Sequence, residues 1–186
     1  RLVGSEMCIR HSSMMRSTEM SMDDQIRSIH HKYQIPEDEA KEILSRGFRF
    51  NDVDKAALLS CLSGKTAGEI LDMRKDDPWG RIEKKLGLTP EIYSKRYIAH
   101  RADRLHRFYG MDAKRAETLL SEGYPNHWLR LAYLIEQHTG SLMENIVKAR
   151  SKSMKWAPYV QQEFGISEET FKSWIAETRN PSLKKR

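Results

Sequence analysis

The chain has 186 residues, 32 Lys and Arg against 26 Asp and Glu, a formal charge of +6 and 39% hydrophobic residues. Its mean hydropathy of -0.70 and the lack of any apolar run of about 18 residues exclude a membrane-spanning helix. Two cysteines, Cys8 and Cys61, are too few for a disulfide framework or a zinc-ligand set, which fits a reducing compartment and makes a cytoplasmic address the expectation.

Arg1 to Arg10 reads RLVGSEMCIR, without periodicity, caps or turn chemistry. It resembles a translated sequencing adaptor. Residues 1–21 are therefore set apart as an artefactual leader, expected to be disordered and kept out of the fold. From residue 22 onward the punctuation is helical. Gly47 and Gly64 stand where helices need a left-handed terminal residue. Thr66 with Glu69 has capping-box spacing, as does Ser141 with Glu144 further on. Asp77-Pro78 and Thr89-Pro90 each set a cap residue before a first-turn proline. Apolar residues recur at three- and four-residue steps, and valines are few. The expectation is an all-α protein.

The sequence also repeats itself. Tyr33 to Phe48 reads YQIPEDEAKEILSRGF, and 76 positions later Tyr109 to Tyr124 reads YGMDAKRAETLLSEGY. At that offset Ala40 meets Ala116, Leu44 meets Leu120, Gly47 meets Gly123, Gly64 meets Gly140, Ile70 meets Ile146 and Arg74 meets Arg150. With one or two inserted residues, Trp79 meets Trp156, Gly87 meets Gly165 and Tyr93 meets Phe171. Matches on glycines, tryptophans and one apolar face point to duplication. The expected organisation is a helical unit over 22–94, a basic connecting helix over 95–108, a second unit over 109–177 and a basic tail over 178–186. Each unit is read as about five short helices, and the helix from Pro90 to Tyr109 as the longest.

The pattern Gly47-Phe48, Asn51-Asp52-Val53, Ala56, Ser63-Gly64-Lys65, Glu69-Ile70-Leu71, Trp79 and Leu86-Gly87-Leu88 resembles a helical unit that recurs in bacterial proteins of unassigned function. Both copies carry the resemblance, although Pro125-Asn126-His127-Trp128 replaces the acidic turn of the first. It implies a fold and no catalytic residues.

Each unit ends in a segment with helix-turn-helix spacing. In the second, Val160, Phe164, Gly165, Ile166, Phe171 and Trp174 space two helices around a glycine turn capped by Ser167. Glu83 and Gln161 stand where a small residue normally lets the two helices approach. The charge excess sits after these segments, with +4 in residues 95–107 and +4 in residues 178–186. Clustered cations bind phosphate by releasing counterions. The expected nucleic-acid contacts are therefore Lys95, Arg96, Arg101, Arg104, Arg107, Lys172, Lys184, Lys185 and Arg186. Glu168 and Glu169 at the start of the last helix oppose such a contact, yet both are favourable at a helix N-terminus.

Other motifs dissolve on inspection. Ser63-Gly64-Lys65-Thr66 lacks the upstream glycine and strand of a phosphate-binding loop. The histidines lack the spacing of a helical metal site, no cofactor is implied, and no nucleophile stands beside a base. The expectation is a non-enzymatic, macromolecule-binding protein with double-stranded DNA as partner, or alternatively a protein–protein adaptor.

Overall fold

The computed structural model describes residues 20–150 and 152–178. The leader up to residue 19 and the expected contacts Lys184, Lys185 and Arg186 lie outside the described residues. The described residues form eleven α-helices and no strand. They are α1 Met22–Tyr33, α2 Glu37–Leu44, α3 Phe50–Ser63, α4 Ala67–Arg74, α5 Trp79–Lys85, α6 Pro90–Tyr109, α7 Ala113–Ser121, α8 Asn126–Thr139, α9 Met143–Ala149, α10 Trp156–Phe164 and α11 Glu168–Thr178.

The local chemistry explains most boundaries. Ser21 accepts the amide of Asp24 and starts α1. Thr66 and Glu69 form the expected capping box on α4. Gly64, at φ 79°, closes α3 in a conformation that a side chain would strain, so the resemblance to a phosphate loop there is a helix end. The expected capping box at Ser141 and Glu144 does not form. Helix α9 starts at Met143 with Leu142 before it and no side-chain cap on that residue. Glu144 is drawn instead to Arg115, and the amide of Met143 is satisfied by Glu136 Oε1 at 3.1 Å.

The chain divides into two compact units, parting between Tyr93 and Ser94. Unit 1 has its core in Ile29, Ala40, Ile43, Val53, Ala56, Leu59, Ile70, Leu71 and Ile82, all buried. Unit 2 has its core in residues such as Leu105, Met111, Leu119, Leu129, Ile135, Met143, Ile146, Val160 and Phe171. Helix α6 is the longest described, at 20 residues. From Ser94 on it is part of unit 2, where Ala102 and Leu105 are buried in the core and Ile98 and Tyr109 pack against it.

The helices keep the 76-residue offset seen in the sequence. Helices α2 and α7 begin at Glu37 and Ala113, and α3 and α8 span Phe50–Ser63 and Asn126–Thr139. Helices α1 and α6 each end beside a left-handed residue, Gln34 at φ 57° and Gly110 at φ 74°. Just before those ends, His30 Nδ1 lies 2.7 Å from the carbonyl of Ile35, and His106 Nδ1 lies 2.9 Å from that of Met111. In unit 2, Gly165 at φ 67° turns the chain between α10 and α11. Ser167 then accepts the amide of Thr170. Trp174 stacks on the ring of His138 at 3.8 Å, which holds α11 on α8.

Candidate anion-binding groove in unit 2

The second half of α6 carries Arg101, Arg104 and Phe108 at steps of three and four, so the three lie along one side of the helix. Helix α8 opens with Asn126 and His127 and brings Arg130 one turn further on. Between the two helices runs a groove of about 180 Å³ lined by Arg104, Leu105, Phe108, Tyr109, Asn126, His127 and Arg130. A neighbouring hollow of about 190 Å³ continues past Arg130 to Tyr133, Gln137, Glu177 and Thr178. The groove is therefore cationic at the α6 end and meets one carboxylate, Glu177, at the other.

The cations here are held by rings and an amide rather than by acids. Arg101 donates to Asn126 Oδ1 at 2.7 Å and lies over the Tyr97 ring at 5.4 Å. The Arg130 guanidinium lies 5.7 Å from the centre of the Tyr109 ring, and that of Arg104 lies 5.9 Å from the Phe108 ring. Nε of Arg104 and Nε of Arg130 are buried without a hydrogen-bond partner. Among the described residues no carboxylate forms an ion pair with Arg101, Arg104 or Arg130. Nearby, His100 has its pKa pushed down to about 4, first by burial and then by the Arg104 and Arg107 charges, against a smaller opposing pull from Asp103.

The matching positions of unit 1 are arranged differently. Seventy-six residues earlier, Phe108 becomes Lys32, Tyr109 becomes Tyr33 and Arg130 becomes Asp54. Asp54 accepts both Lys32 Nζ at 3.0 Å and the Tyr33 hydroxyl at 2.9 Å. That seam satisfies its own charge. In unit 2 the carboxylates gather elsewhere, on Arg115. Its Nε and Nη2 meet Glu144 at 2.6 and 2.8 Å, and its Nη1 meets Glu136 at 3.1 Å. Arg115 holds both glutamates below their usual range, its hydrogen bond being the largest cause in each case.

The expected contacts separate into three groups. Arg101 and Arg104 line or flank the groove. Arg107 is bound to Asp103 at 2.8 Å, and Lys172, on α11, to Glu168 at 3.2 Å. Lys95 and Arg96 are exposed on the first half of α6. Asn126, His127 and Arg130 complete the groove and escaped the sequence reading, since none of them belongs to a charge cluster. The available clue was a mismatch, Asp54 against Arg130 at the 76-residue offset.

No protein-family model, curated protein or solved structure matches this chain.

Proposed function

We propose that the chain is a non-enzymatic binding module whose unit 2 engages double-stranded nucleic acid by its phosphates, through the groove between α6 and α8. The observation that carries this reading is the set Arg101, Arg104 and Arg130, three guanidiniums gathered on one seam with no described carboxylate paired to them. Guanidinium forks suit phosphate oxygens, and buried Nε–H donors without acceptors gain most from an anion. Exposed Lys95 and Arg96 extend the same basic helix toward its start. We further read the two units as copies of one ancestral helical unit, with α5–α6 and α10–α11 as helix-turn-helix-like ends.

On this reading α11 is not the element that enters a groove of the duplex. Glu168, Glu169 and Glu177 are exposed on it, and Lys172 is already paired. Phosphates would be repelled there. A protein partner is the second reading, and a different cluster favours it, centred on Arg150.

The test is fluorescence anisotropy of a labelled duplex with the full chain across a salt series, beside the Arg104→Gln, Arg130→Gln double variant. The expected result is salt-sensitive binding, weakened roughly tenfold or more at low salt in the variant, with a log–log salt slope shallower by about 2. Binding that is absent at low salt, or unchanged in the variant, overturns the proposal.

A further inference from the structure

Arg150 follows directly on α9 and is 9% exposed. Its guanidinium sits in the corner of two indoles set at right angles, 4.3 Å from the ring centre of Trp128 and 4.4 Å from that of Trp156. Nε and Nη1 of Arg150 are buried with no hydrogen-bond partner, and so is Nε1 of Trp156. Among the described residues, no carboxylate forms an ion pair with it. Burial is the main influence on the group and holds its pKa below the ordinary arginine value.

The molecule contains its own control for this arrangement. Arg74 stands 76 positions earlier and also lies over an indole, 5.1 Å from the Trp79 ring. There the same two nitrogens are provided for. Nη1 donates to the Asp77 carbonyl at 3.1 Å, and Nε faces Asp52 Oδ1 at 3.8 Å. The counterpart of Asp52 in unit 2 is Trp128. The second indole strengthens the hold on the cation while removing its anion. Two cation–π faces offset part of the desolvation, but they leave the in-plane N–H groups with no acceptor. Both tryptophans are half-buried and pack against the core of unit 2, so a ligand reaches these nitrogens where an indole turns aside.

We propose that the Trp128–Arg150–Trp156 cluster receives a carboxylate from an acidic protein segment, facing Arg150 Nε as Asp52 faces Arg74 Nε. The carboxylate accepts from Arg150 Nε, and the indole Nε1–H of Trp156 supplies a further donor. This site is separate from the α6–α8 groove. Trp128 and Arg130 stand about 160° apart around α8, on opposite faces of the helix, and either proposal stands or fails without the other.

The experiment is a ¹H–¹⁵N titration of the full chain at constant ionic strength, following the Trp156 indole signal, which is assigned by its loss in Trp156→Phe. The probes are sodium acetate, a glutamate-rich peptide, its glutamine counterpart, inorganic phosphate and chloride. The proposal expects acetate to move the signal saturably, the glutamate peptide to do so at least tenfold more tightly, and the glutamine peptide and chloride to leave it in place. Arg150→Lys, which keeps the charge and removes the fork, should weaken the peptide at least fivefold. No movement with acetate and peptide, or equal movement with chloride, overturns the site. Phosphate acting more tightly than both carboxylate probes overturns the choice of ligand. These wild-type outcomes decide the matter even where a variant fails to fold.

Discussion

Helices α3 and α8 have the same length, 14 residues, and stand at the same place in the internal register, yet they carry opposite charges toward their neighbours. Helix α3 presents Asp52 to Arg74 and Asp54 to Lys32. Helix α8 presents Trp128 and Arg130 at those positions, and the basic side chains beside them find rings in place of acids. The totals follow suit, with 12 basic and 14 acidic residues over 20–93 against 13 and 10 over 94–178. Two differences between helices of equal length thus separate self-neutralised seams from seams that lack an anion. Buried cations without acceptors cost stability.

The largest break in this comparison concerns Arg115, where unit 2 pairs one cation with two carboxylates. Arg115→Met leaves Glu136 and Glu144, 15% and 28% exposed, facing each other without a cation. Urea denaturation should show a loss of about 3 kcal/mol. The counterpart in unit 1, exposed Glu39, should tolerate Glu39→Gln within about 0.5 kcal/mol. Next comes the pair of arginines under indoles. Arg74→Met removes a satisfied hydrogen bond and should cost about 1–2 kcal/mol, whereas Arg150→Met removes an unsatisfied charge and should be neutral or stabilising. A larger cost at Arg150 than at Arg74 would invert the comparison.

A transplant sharpens it. Phe108→Lys with Arg130→Asp rebuilds the Lys32–Asp54 pair on unit 2, and should change stability by less than about 1 kcal/mol. The same double change should abolish duplex binding in the anisotropy assay. The last effect is a pH dependence. His100 titrates near 4 in the folded chain and near the usual 6.5 when unfolded. The unfolded state therefore binds the proton first, and stability present above pH 6.5 is lost as the pH falls toward 4. Thermal melts between pH 6.5 and 4.5, above the range of the depressed carboxylates, should decline, and His100→Gln should flatten that decline.

Most of the helices were legible because caps, glycines and apolar spacing are local. Thr66 with Glu69, Gly64 and the Pro90 start behave as their neighbours dictate. Ser141 with Glu144 has the same spacing as Thr66 with Glu69 and fails, because Arg115 on another helix competes for the glutamate. No window around Ser141 contains that competitor. The groove was half legible. A run of arginines on α6 announced Arg101 and Arg104, but it also suggested Arg107, which a neighbour four residues away neutralises. Arg130 and Arg150 are isolated in the sequence. They become visible when residues 76 positions apart are compared, since a difference between Asp54 and Arg130 shows at that offset and not in local composition.

The most direct test of the difference between the units is residue-resolved mapping of a polyanion on the full chain. Amide and arginine Nε–H shifts, followed while a short duplex is titrated at low salt, report on both units at once. The account predicts perturbations concentrated in the second half of α6 and the start of α8, including Arg101, Arg104 and Arg130, with Lys32 and Arg74 and their surroundings unmoved. Shifts spread evenly over both units, or centred on α1 and α3, would contradict it.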